Sequence, residues 1–104
     1  VLEDGQSLVN DRLSLAEYGM LVVLAAVDLE RGVIVGDVDV VARGFNLTED
    51  VEKAIRLAVV EGVNGADLDK ADIDEYARYV KKSVRKLFYR ERQFPIIIPV
   101  IVKD

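Results

Sequence analysis

Seven of the chain's fourteen Lys and Arg residues fall between residues 78 and 92: Arg78, Lys81, Lys82, Arg85, Lys86, Arg90 and Arg92. Tyr79 and Tyr89 are interleaved with them. Clustered cations neutralise phosphates and aromatic rings stack on bases, so this stretch could contact RNA. Arg78, Lys81, Lys82, Arg85 and Lys86 are its candidate contact residues. The plainer alternative is the solvated face of an amphipathic helix, whose C-terminal end favours basic side chains. The net charge of −5 supports that alternative, because the chain as a whole should avoid nucleic acid and anionic membrane.

Other chemistry is poorly supplied. There is no His and no Cys. That removes the commonest general base, the commonest zinc ligands and any thiol nucleophile. It also excludes disulfides, leaving the compartment open and favouring the cytoplasm. Carboxylates are numerous, at Asp28, Asp37, Asp39, Asp67, Asp69, Asp72 and Asp74. The run Asp67-Leu-Asp-Lys-Ala-Asp72 loosely resembles a calcium loop but lacks the central Gly and the twelfth-position Glu. A solvated loop with charges at a helix start is the better account. No phosphate-cradling glycine loop occurs. Independent catalysis is not expected, nor a resident metal or cofactor.

The elements that position these groups follow from periodicity. Residues 19–45 carry two Val-rich runs joined at Glu30-Arg31-Gly32, which predicts a β-hairpin with Gly32 at positive φ. The first strand, about 20–29, is apolar on both faces and should be central. The second, about 33–42, alternates, and Gly36 invites a bulge. A helix is predicted over 46–64 with Thr48 as N-cap. Its expected apolar face is Val51, Ala54, Ile55, Ala58, Val59 and Gly62, with Gly62, Asn64 and Gly65 as stop signals. A second helix is predicted from Asp69 or Ala71 to Arg90, striped by Ile73, Tyr76, Ala77, Val80, Val84, Leu87 and Phe88. Pro95 ends it. Residues 96–102 then read as a strand, in which Pro99 calls for an edge position or irregular pairing.

The predicted class is α+β, in the order β-β-α-α-β, with two helices on one face of a three-stranded sheet. The opposite sheet face is partly apolar and lacks cover, which calls for a partner. With 104 residues the chain is one domain. Residues 1–18 are expected to form a partly flexible lead-in and 19–104 the folded unit. The start at Val1, without an initiator Met, suggests a piece of a larger protein. No stretch approaches the ~20 apolar residues of a membrane span.

Three pieces carry a family resemblance: Leu15-Ala-Glu-Tyr-Gly19 leading into Met20–Asp28, then Arg43-Gly44-Phe45, then Pro95-Ile-Ile-Ile-Pro-Val-Ile101. Their order and spacing resemble the C-terminal domain of ribonuclease J, a nuclease of the metallo-β-lactamase fold, from about Asp11 to Val102. The marker residues are Arg43, Gly44, Phe45, Pro95 and Pro99. Two departures stand out. Ala42 replaces a Ser common before Arg-Gly-Phe, and Gln93-Phe94 replaces basic residues common before the Pro. The resemblance implies a non-catalytic accessory domain, and it implies that the His/Asp zinc motifs lie in a catalytic region absent from this chain. It further implies a parent RNase acting on RNA, with this domain assisting self-association as a homodimer, substrate positioning, or contact with the parent catalytic domain or RNA.

Overall fold

Strand β1, Met20–Asp28, occupies the middle of a sheet of order β2-β1-β3. The computed structural model describes residues 18–66 and 72–104. In it β2, Val33–Arg43, pairs with β1 antiparallel, and β3, Ile96–Lys103, pairs with β1 parallel. Helices α1, Glu49–Asn64, and α2, Ile73–Arg90, lie between β2 and β3 in the chain. The α+β class and the β-β-α-α-β order are those expected from periodicity. So is the edge position of β3, whose Pro99 sits opposite Val23.

One face of β1 faces the core. Leu21, Val23, Ala25 and Val27 are fully buried, and they meet Ile55, Val59 and Val63 of α1 and Tyr76, Val80, Val84 and Phe88 of α2. Helix α1 lies over β2 and α2 over β3. Two layers therefore enclose a single apolar core.

The hairpin turn is held by Asp28. Its carboxylate Oδ1 accepts from the Glu30 N–H at 3.0 Å and the Arg31 N–H at 3.2 Å. The Gly32 N–H donates to the Asp28 carbonyl at 2.8 Å, with Gly32 at φ +70°. This side-chain capping ends β1 at Asp28, one residue before the expected limit. Gly36, also at φ +70°, marks the expected bulge: Leu24 faces Asp39, whereas Ala26 faces Val35.

Thr48 caps α1, its hydroxyl accepting from the Val51 N–H at 3.3 Å. The helix face differs in detail from the periodicity estimate. Ala54 is exposed, and Val63 completes the buried line after Ile55 and Val59. Gly62 is not a stop: the helix continues to Asn64, and a Cβ at Gly62 would collide with the Ser83 side chain of α2. This glycine permits close helix packing. Asn64 Oδ1 then accepts from the Ile34 N–H at 3.1 Å, tying the helix end to β2.

Helix α2 starts at Ile73, later than Asp69 or Ala71, because the Asp72 carboxylate accepts from the Glu75 N–H at 2.9 Å and makes Asp72 the N-cap. The calcium-loop-like run lies outside the described residues save for Asp72. The lead-in of residues 1–18 does too, save for Tyr18.

At the far end of α2 the Arg92 N–H donates to the Tyr89 carbonyl and the Gln93 N–H to the Phe88 carbonyl, each at 3.2 Å. This is a Schellman closure with Arg92, at φ 53°, where glycine is usual. Arg92→Gly relieves that strain and should stabilise the fold by about 1 kcal/mol. A thermal melt should show a rise of about 5 °C; no rise would contradict the strain assigned to this residue.

Candidate functional site

Strand alternation turns a second set of side chains away from the helices. On β1 these are Met20, Val22, Leu24 and Ala26. On β3 they are Ile96, Ile98, Val100 and Val102, and on β2 Val35, Asp39, Val41 and Arg43. The registers align them in cross-strand rows: Val41–Val22–Ile98, Asp39–Leu24–Val100, Val35–Ala26–Val102 and Arg43–Met20–Ile96. The Leu24, Val35, Val41, Ile98, Val100 and Val102 side chains remain 36–54% exposed, so nothing among the described residues covers them. A largely apolar, exposed face of this kind is a candidate interaction surface.

Arg78, Lys81, Lys82, Arg85 and Lys86 lie on the opposite side of the molecule. All are exposed along the outer face of α2. The spacing of three and four that buries Tyr76, Val80 and Val84 turns these five outward. None is in an ion pair among the described residues, where the pairs are Arg31–Asp28 and Arg56–Glu52. A cleft of about 240 Å³ runs between α2 and β3, lined by Lys81, Arg85, Tyr89, Phe94 and Pro95 among others. Tyr89 meets Phe94 edge-on, with ring centroids 5.5 Å apart, and Phe94 meets Tyr18 in the same way at 5.9 Å. Phe94 joins this aromatic cluster, a place that the spacing of the basic residues does not predict. Its place beside Pro95, after a helix bearing exposed aromatics, is the signal that could have found it.

The marker residues are local structure. Arg43 ends β2 on the open face. Gly44 adopts φ +67°. Phe45 turns inward, its ring edge-to-face with Phe88 at 5.3 Å. Pro95 is buried before β3. A cleft of about 640 Å³ beside Phe45 is lined by Tyr18, Gly44, Leu87 and Gln93 among others.

Among the described residues no group of three His, Cys, Asp or Glu side chains could hold a metal ion, and no helix is long and apolar enough to cross a membrane. With neither His nor Cys in the sequence, these residues do not fit a zinc site.

Compared with known protein families, the chain matches the model of the ribonuclease J C-terminal domain over residues 7–103. That match spans nearly the whole chain, and the protein belongs to the ribonuclease J C-terminal domain family.

Proposed function

We propose that this domain is a non-catalytic accessory module of a zinc-dependent, cytoplasmic RNase of the ribonuclease J type, and that it supports self-association and so positions the catalytic region on RNA. The zinc and its ligands belong to that catalytic region. The observation that carries this reading is the face of the sheet that the described residues leave uncovered, with Val22, Leu24, Val41, Ile98 and Val100 at its centre.

Size sets the expected strength. Strands about 4.8 Å apart with a rise of about 3.3 Å per residue give a three-stranded face of roughly 400 Å². Two such faces bury roughly 800 Å², below the ~1,200 Å² at which stable complexes begin. The isolated domain should therefore associate weakly, and contacts elsewhere in a parent enzyme would add to it by raising effective concentration. Sedimentation equilibrium on the chain tests this. A reversible monomer–dimer equilibrium is expected at high micromolar concentration, and a strict monomer there contradicts it.

RNA contact through α2 is the second reading. Five exposed cations with no ion-pair partner among the described residues favour it, with Tyr89 and Phe94 at one end of the row. Four phosphate contacts to a single strand predict a roughly fiftyfold loss of affinity between 50 and 200 mM salt. Fluorescence anisotropy with a single-stranded RNA should show that dependence, and replacing Lys81, Lys82, Arg85 and Lys86 with Glu should abolish binding. No binding by the unaltered chain at low salt removes this reading.

A further inference from the structure

The open face carries two opposite charges in a symmetric arrangement. Asp39 and Arg43 flank Val41 on β2, opposite Leu24 and Met20 of β1. Both are exposed, and neither has an ion-pair partner among the described residues. Asp39 shares its row with Leu24 and Val100. Pressed against the apolar face of a second copy, its carboxylate would lose hydration without compensation. A face-to-face dimer must therefore offer it a cation or leave it at a penalty.

Resting on the self-association reading above, we propose that the second copy docks across a two-fold axis through the Val41–Val22–Ile98 row, pairing Asp39 of each copy with Arg43 of the other. The axis lies in the interface plane and crosses the strands. It carries the position two residues before Val41 onto the position two residues after it, so one operation makes both ion pairs. It also sets Leu24 over Met20 and Val100 over Ile96, apolar on apolar, and places the Val41, Val22 and Ile98 row on itself.

The alternatives are worse. An axis through the Leu24 row sets Asp39 against Asp39. An axis midway between these rows sets Asp39 against Val41. An axis along β1 sets β2 over β3 and Asp39 over Val100. Ion pairs at the rim add little affinity. Their role here is to select one docking register, as charges do across interfaces generally.

The test is a charge exchange read by sedimentation equilibrium. Asp39→Arg and Arg43→Asp each place like charges together twice per dimer, and each should weaken the dimer at least tenfold. The double exchange restores opposite charges and should recover the unaltered affinity to within about threefold. Thermal melts of every variant check folding. If a reversed charge disturbs the fold, the uncharged Asp39→Asn and Arg43→Gln variants replace it. Each should then weaken the dimer severalfold, and the two together no more than either alone. Single variants that dimerise like the unaltered chain, or combined losses that simply add, overturn the proposed register while leaving self-association standing. A strictly monomeric unaltered chain overturns both.

Discussion

Gly19→Ala should lower the thermal midpoint by more than about 10 °C, or prevent folding. Gly19 has φ +78°, and a Cβ there would run into the Arg43 carbonyl oxygen and the Gly44 carbonyl group. Its own carbonyl accepts from the Ile96 N–H at 2.9 Å, so this residue joins the start of β1 to the end of β2 and the start of β3. Left-handed backbone costs a non-glycine residue about 1–2 kcal/mol. Relief of the backbone collision adds about 1–3 kcal/mol. The sum of about 3 kcal/mol is a large share of the roughly 5–15 kcal/mol that stabilises a domain of this size. Gly36→Ala provides the control. Gly36 has φ +70°, but nothing lies within 4 Å of a Cβ added there, so only the strain applies. Its midpoint should fall by about 5–10 °C. Circular dichroism melts of the two variants give the comparison, and equal losses would contradict the close-approach role of Gly19.

The second large effect is on association. Leu24→Lys should leave the isolated fold nearly as stable and weaken self-association by at least a hundredfold. Leu24 is 37% exposed at the centre of the open face. A lysine there can extend to water in the monomer and faces Asp39 across the strand pair, a favourable opposite-charge neighbour. In a dimer the same ammonium enters an apolar interface once per copy, where burying a charge without a full set of partners costs several kcal/mol. Sedimentation equilibrium reads the association and a thermal melt reads the fold. Retained dimerisation with a retained melt would move the interface away from this face.

Much of the fold was legible because local signals and the global arrangement agree. The capping Thr48, the turn at Gly32, the bulge at Gly36 and the edge-strand Pro99 all sit where their chemistry demands. What escaped was non-local. Periodicity marks residues 96–102 as a strand but carries no information that β3 aligns parallel to β1, since that depends on where two helices return the chain. Gly62 resembles a helix stop in isolation, and its closeness to Ser83 becomes visible only once α1 and α2 are side by side. Arg92 gives no local hint that it would take a left-handed helix end.

The candidate surfaces divide in the same way. The basic face of α2 was readable from i, i+3 and i+4 spacing alone. The open sheet face was half readable. Alternation in β2 predicts a wetter side, but β1 is apolar at nearly every position, so its outward residues cannot be assigned without the register. Asp39 and Arg43 acquire their relation to Val41 and to each other's symmetry mate only when that register places all three on one face.

Self-association of the kind proposed requires that the open face become covered. Backbone amide chemical shifts measured by NMR over a dilution series from millimolar to low micromolar chain report this residue by residue. The expected result is concentration-dependent shifts centred on Val22, Leu24, Val41, Ile98 and Val100, with Arg78, Lys82 and Lys86 of α2 unmoved. Spectra unchanged across the series, or shifts confined to α2, would contradict it.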